Sequence, residues 1–73
     1  MFDVRRFKAQ MVLMGVTGKM LAEKLNINES TLYRKLNAGG DFTREEINIM
    51  IDYLKFDNPL EVFFAHELAY TQD

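Results

Sequence analysis

The chain has 73 residues, enough for one small domain with a hydrophobic core but not for two. Hydrophobic residues make up 48% and charged residues 27% of the chain, a composition typical of globular rather than disordered proteins. The absence of cysteine excludes a disulfide framework and a cysteine-based zinc site.

Hydropathy predicts neither a membrane span nor a secretory signal. No stretch holds the roughly 18 consecutive apolar residues that a spanning helix requires, and the N-terminal residues lack the apolar core of a signal peptide. We therefore expect a protein of the cytoplasm without membrane contacts.

Charge is distributed unevenly along the chain. The net charge is −2 and the isoelectric point about 5.3. Residues 1–37, however, carry seven basic and three acidic side chains, a balance of +4, whereas residues 38–73 carry two basic and eight acidic ones, a balance of −6. Charges separated by more than about 8 to 10 Å are largely screened, so the acidic half does not prevent the basic half from approaching phosphates.

An apolar stripe at three- and four-residue spacing predicts a first helix over residues 2–14, ended by Gly15. The stripe consists of Val4, Phe7, Met11 and Met14. Three basic residues lie off it, namely Arg5, Arg6 and Lys8. These are either a solvated helix face or contacts to DNA phosphates beside a binding groove.

Residues 17–37 predict two short helices joined by a sharp turn. Thr17 is a good N-cap for the first of them and Asn28 for the second. Only Asn26 and Ile27 lie between the first helix and the second cap, and asparagine tolerates the left-handed backbone that such turns often need. Helices joined so closely must cross steeply, which is the helix-turn-helix arrangement.

The helix predicted over residues 29–37 is the most informative segment. Leu32 and Leu36 lie on one side of it, and the remaining residues form a continuous polar face. Arginine binds guanine through two hydrogen bonds, glutamate accepts from cytosine, and serine or tyrosine reaches bases or phosphates. The polar face is therefore either an ordinary solvated surface or a DNA-reading surface. In the second case we expect base contacts from Glu29, Ser30, Tyr33 and Arg34.

Further residues around the two helices predict contacts to the DNA backbone. Their side chains are basic or carry hydroxyl or amide groups, which commonly bind phosphate oxygens. They are Thr17, Lys19, Asn28, Thr31, Lys35 and Asn37.

Two more helices follow the glycine pair at residues 39–40. Thr43 and Glu46 have the spacing of a capping box, and an apolar stripe follows them. Its members are Ile47, Met50, Ile51 and Leu54. Pro59 suits the first position of a fifth helix over residues 59–69, capped by Asn58.

The fifth helix is apolar around its whole circumference. Its apolar side chains either close the base of the core or form a homodimer contact, which is the interpretation we prefer. The candidate interface residues are Val62, Phe63, Phe64 and Tyr70. His66 has no neighbouring ligand residues at metal spacing, so we expect a surface histidine rather than a metal ligand or catalytic base, and no bound metal.

The pattern of residues 17–32 resembles the helix-turn-helix of phage repressor and Cro-type proteins, also called lambda repressor-like proteins. The residues that carry the resemblance are Thr17, Leu21, Ala22, Leu25, Ile27, Ser30, Thr31 and Leu32. The segment STLYRKLN, the glycine-containing loop and the segment FTREEI extend it, as in small prophage regulators, so that it covers residues 4–68.

This resemblance implies a single all-α domain, a compact five-helix bundle over residues 1–73. Its third helix would enter the major groove of double-stranded DNA, usually as a dimer on a two-fold operator. In such proteins the base-reading positions correspond to Glu29, Ser30 and Arg34, with Asn28 and Tyr33 near the backbone.

The chain departs from this family at three positions. Gly18 stands where glutamine is common, which removes a phosphate-binding side chain, and Asn26 stands where the turn usually has glycine. Lys35 occupies a position that is commonly apolar and buried, and Leu36 follows it. Which of these two is buried decides the rotation of the third helix about its axis.

Two functions remain open from the sequence. The first is sequence-specific DNA binding by a phage-type or prophage-type transcriptional regulator. The second is a protein-interaction module, such as an anti-repressor or antitoxin, that uses the apolar fifth helix. We expect no enzymatic activity, cofactor or small-molecule substrate, because no catalytic set, phosphate loop or metal-ligand spacing is present.

Overall fold

The computed structural model describes residues 2–64, which form five α-helices and, within that range, no β-strand. The helices are α1 (Val4–Met14), α2 (Gly18–Leu25), α3 (Glu29–Asn37), α4 (Arg44–Leu54) and α5 (Pro59–Phe63). This confirms a compact all-α architecture with five helices. The expected continuation of α5 to residue 69, together with Tyr70 and His66, lies outside the described residues.

Local capping sets most helix ends. The Asp3 carboxylate accepts a hydrogen bond from the Arg6 N–H at 3.1 Å, so α1 begins at Val4 rather than at residue 2. Gly15 ends α1 in the left-handed conformation, with φ 67°. Thr43 and Glu46 form the predicted capping box at the start of α4. Asn58 precedes α5, but its side chain makes no capping hydrogen bond.

A cluster of phenylalanines forms one end of the core. Phe7 is fully buried, and its ring centroid lies 5.4 to 6.4 Å from those of four other phenylalanines. These are Phe2, Phe42, Phe56 and Phe63. Because they come from the N-terminal segment, the start of α4, the α4–α5 connection and α5, the cluster joins both ends of the described chain.

Two of the four residues expected at a dimer interface, Val62 and Phe63, belong to the core instead. Val62 and Phe63 are only 5% and 6% exposed, because both side chains pack into the protein's own core. The apolar residues of α5 thus do, in part, close the base of the core. Of the candidate interface residues within the described range, only Phe64 is exposed.

The predicted stripe of α1 is correct in its middle and wrong at its end. Phe7 and Met11 are buried and Val4 packs partly against the core, but Met14 is 38% exposed. Phe2 is buried instead, because the Asp3 N–H donates to the Val62 carbonyl at 2.7 Å and holds the N-terminal segment against α5.

The rotation of α3 follows from Leu32 and Leu36, which are 0% and 1% exposed. Lys35 therefore lies at the side of the helix, where its Nζ contacts the Glu46 carboxylate at 3.1 Å. Partial burial acts to raise the pKa of Glu46, but the hydrogen bond from the Thr43 backbone N–H and the Lys35 ammonium together lower this pKa below its ordinary value.

No helix within residues 2–64 combines the length and the apolar character that a membrane crossing requires.

The Lys35–Glu46 pair predicts a pH-dependent stability. The pKa of Glu46 is lower in the folded chain than its ordinary value of 4.5, so the unfolded chain binds the proton first as pH falls. The contribution is fully present above about pH 4.5 and is lost as pH falls through the folded pKa. We expect Glu46→Gln to lower the free energy of unfolding by about 1 kcal/mol at pH 7, and to flatten its fall between pH 5 and 3.

Urea unfolding at a series of pH values measures both effects. Glu45→Gln is the matched control, because Glu45 is exposed in the same helical turn and forms no ion pair with another residue of the described range. An equal loss in the two variants would contradict a stabilising role for the pair.

Candidate nucleic-acid interface

The connection between α2 and α3 is formed by residues 26–28 alone. Asn26 ends α2 in the left-handed conformation with φ 60°, as its position in the sequence predicted. The Ile27 N–H donates to the Ala22 carbonyl at 3.0 Å, which closes the turn against α2. Leu21 and Leu32 are both fully buried, so the two helices share one apolar contact surface.

The outward face of α3 follows from the burial of Leu32 and Leu36. Successive residues of an α-helix are rotated by about 100°, so Arg34 lies almost directly opposite the two leucines. Ser30 lies next to it on the same side, and both residues are exposed. Within residues 2–64, Arg34 forms no ion pair.

Tyr33 lies on one flank of α3 and contacts α2. A Cβ added to Gly18 would collide with the Tyr33 Oη and would lie 2.7 Å from its Cζ and 2.8 Å from its Cε2. The tyrosine ring therefore rests on the backbone of the first residue of α2, and Gly18 is buried. The ring occupies the space that the side chain of a residue other than glycine would need.

Lys35 lies on the opposite flank of α3 and contacts α4. Its side chain is 19% exposed, and its Nζ is bound by Glu46 and lies 5.7 Å from the centroid of the Phe42 ring. We had expected a phosphate contact from this residue. The structure instead uses the ammonium group in an intramolecular ion pair, so Lys35 is removed from the candidate phosphate contacts.

The other candidate phosphate contacts lie around the outward face. The Thr17 Oγ1 accepts the Met20 N–H at 3.1 Å as the cap of α2, which leaves its own hydroxyl hydrogen free to donate. Asn28 precedes α3, but its side chain makes no capping hydrogen bond, so its amide is free for a ligand. Lys19 and Asn37 are exposed. Thr31 and Glu29, the remaining residues of the predicted set on α3, are half-buried and exposed, respectively.

Two of the basic residues outside α3 contact other side chains of the protein, although both are exposed. The Arg6 guanidinium donates a hydrogen bond to the Glu61 carboxylate, which raises the pKa of Arg6. The Lys24 ammonium lies 5.4 Å from the Tyr53 ring centroid, a cation–π contact with α4. Arg5 and Lys8 are exposed on α1, and no ion pair within the described range involves them.

Two features of the surface were missed from the sequence. Val12 and Leu13 are 81% and 75% exposed at the end of α1. Both residues fall outside the apolar stripe predicted for α1, so the sequence pattern already indicated that they would be exposed. The contact between Gly18 and Tyr33 left no such signal, because it depends on how α2 and α3 pack.

Within residues 2–64, no group of three or more histidine or carboxylate side chains is arranged to hold a metal ion. No protein-family model, curated protein or solved structure matches the chain.

The left-handed turn residue predicts a simple substitution pattern. Asn26→Ala should destabilise the protein by about 1 kcal/mol, because an alanine side chain disfavours this backbone conformation. Asn26→Gly should be neutral or slightly stabilising, because glycine adopts it without steric cost. Urea unfolding at pH 7 distinguishes the two variants. If both lowered stability equally, the asparagine side chain rather than the backbone conformation would be the important feature.

Proposed function

We propose that the protein binds double-stranded DNA in a sequence-specific manner, as a transcriptional regulator of the phage or prophage type with α3 in the major groove. The observation that carries this proposal is the division of α3 into two sides. Leu32 and Leu36 anchor it to the core, and the opposite side presents Ser30 and Arg34 to solvent.

The dimensions of α3 support this proposal. An α-helix with its side chains is about 10 to 12 Å in diameter and fits the roughly 12 Å width of the major groove, and the nine residues of α3 give a length of roughly 13 Å for contacts along it. The short turn after α2 leaves the beginning of α3 at the protein surface, where Asn28 and Glu29 are both exposed. Helix-turn-helix proteins contact base edges through this end of their second helix.

The exposed side chains provide suitable chemistry for base recognition. Arg34 is suited to binding guanine O6 and N7 through two parallel hydrogen bonds, and Glu29 to accepting a hydrogen bond from cytosine N4. Ser30 is less selective, since its hydroxyl both donates and accepts. Lys19 and Thr17, at the start of α2, are suited to phosphate contacts that fix the orientation of the protein on the duplex.

A homodimer is the assembly that this function favours, because paired half-sites one helical turn apart require two reading helices. Leu60 on α5 and Phe64 directly after it are 55% and 41% exposed, and the Phe64 N–H donates to the Leu60 carbonyl at 2.9 Å. With Val62 and Phe63 buried in the core, these two residues are the contact that α5 offers to a second copy. A regulator acting on DNA would work in the cytoplasm of a bacterial host.

The protein-interaction alternative is favoured by a different surface. Val12 and Leu13 are consecutive exposed apolar residues on α1, a different helix from the one that carries Ser30 and Arg34. If the protein acted through this surface, its function would survive substitutions on α3.

Substitutions at Arg34 test the proposed base contact. We expect Arg34→Ala to weaken binding to the preferred duplex by about 1 to 3 kcal/mol and to relax selectivity at one base position. Arg34→Lys is the matched control, because it keeps the charge but loses the two-bond geometry; it should retain affinity for random duplex and lose the same selectivity. Lys19→Ala should weaken all duplexes alike and reduce the salt dependence by about one phosphate contact.

The preferred duplex is obtained by selecting bound sequences from a random pool, and affinities are then measured at several salt concentrations. Symmetry in the selected sequences would also reveal a two-fold site. Equal affinity of the wild-type protein for the selected and a scrambled duplex would refute sequence-specific binding.

Sedimentation at micromolar concentration tests the dimer. We expect a dimer for the wild-type protein and a monomer for Phe64→Asp, because a carboxylate at an apolar contact remains without a partner. Leu13→Asp is the matched control, since Leu13 is equally apolar and more exposed but lies on α1. A monomeric wild-type protein, or a dimer lost only in Leu13→Asp, would contradict an interface on α5.

A further inference from the structure

The two flanks of α3 are held by different neighbours. Lys35 connects one flank to α4 through Glu46, and Tyr33 connects the other to α2 through Gly18. Tyr33 is 38% exposed, so one side of its ring is covered and the rest faces solvent. An exposed tyrosine beside Ser30 and Arg34 would ordinarily be taken for a further DNA-reading residue.

The position of the ring indicates a different role. Gly18 lies at the end of α2 that is farthest along the chain from the turn at residues 26–28. The turn fixes the distance between the two helices at one end, whereas the Tyr33 ring fixes it at the other. Because the ring lies directly on the Gly18 backbone, a rotation of α3 toward α2 would require the ring to move.

We propose that Tyr33 is a positioning residue: by resting on Gly18, its ring fixes the rotation of α3 relative to α2 and thereby the direction in which Ser30 and Arg34 point. This inference rests on the proposed DNA-binding function. It assigns base recognition to Ser30 and Arg34 on the outward side of α3, together with Glu29 at its start, and not to the Tyr33 hydroxyl.

The contact with the Tyr33 ring requires glycine at position 18. Any larger residue there would displace the ring, since its Cβ would overlap the Tyr33 Oη. Glycine at position 18 therefore leaves open the space that the Tyr33 ring occupies from α3. The two positions should behave as a coupled pair when both are substituted.

The test uses four variants of the full chain: Tyr33→Phe, Tyr33→Ala, Gly18→Ala, and the double variant of Gly18→Ala with Tyr33→Ala. In the free protein, the chemical shift of the Gly18 Hα atoms reports the ring above them, and thermal unfolding reports the fold. With DNA, the readout is the ratio of affinities for the selected duplex and for a scrambled duplex of the same composition.

We expect Tyr33→Phe to keep the ring-induced shift and to preserve the affinity ratio within about twofold. Tyr33→Ala should lose the shift and reduce the ratio about tenfold, comparable with the loss of one base contact. Gly18→Ala should displace the ring and reduce the ratio similarly. The double variant should be no worse than either single variant, because the collision and the ring are removed together.

Different results overturn different statements. If Tyr33→Phe loses as much selectivity as Tyr33→Ala, the hydroxyl itself contacts DNA and the positioning role is refuted. If Tyr33→Ala folds and keeps its selectivity, the ring does not orient the helix. If the wild-type protein does not discriminate between the duplexes, the DNA-binding proposal fails, and the positioning role fails with it. The Gly18 shift and the coupling in thermal stability would still establish the contact itself.

Discussion

The complete burial of Leu32 and Leu36 is the constraint on which the candidate interface depends. With both side chains in the core, α3 has a single rotation about its axis, and Arg34 lies on the side opposite to them. A rotation by one residue would bury Lys35 without a comparable apolar contact and would turn Arg34 toward a neighbouring helix. The packing of two leucines thus determines which polar side chains a ligand can meet.

Contacts with α4 and with the residue before its cap further stabilise the position of α3. Lys35 connects α3 to the Glu46 side chain, which also completes the capping box at the start of α4. Phe42, directly before that capping box, lies under the Lys35 ammonium and also stacks near Phe7 in the phenylalanine cluster. The position of α3 is therefore linked through α4 to the part of the core that joins α1 and α5. This connection limits the tilt of α3, which a single apolar contact would allow.

The sequence predicted the elements that depend on local chemistry. The caps at Thr17 and Thr43 and the left-handed turn at Asn26 were all predictable, because each depends on a few neighbouring residues. Contacts between distant segments could not be predicted from the sequence in the same way. The burial of Phe2 and Phe63 depends on the contact between the N-terminal segment and α5. The contact between Tyr33 and Gly18 depends on how closely α3 approaches α2. The choice between Lys35 and Leu36 also required α4 and the residue before its cap, since Glu46 and the Phe42 ring together stabilise a lysine at the edge of the core.

The distribution of charge has a consequence for how such a protein would discriminate among DNA sequences. Of the seven basic residues in residues 1–37, Arg6 and Lys35 form ion pairs with carboxylates and Lys24 lies against an aromatic ring. Four of the seven, Arg5, Lys8, Lys19 and Arg34, take part in none of these contacts. Each phosphate contact that a basic side chain makes adds affinity for every duplex alike. A weak non-specific term raises the share of the binding free energy that comes from base contacts. Under the proposed function, selectivity comes from Arg34 and Ser30, and their direction depends on how rigidly the core holds α3.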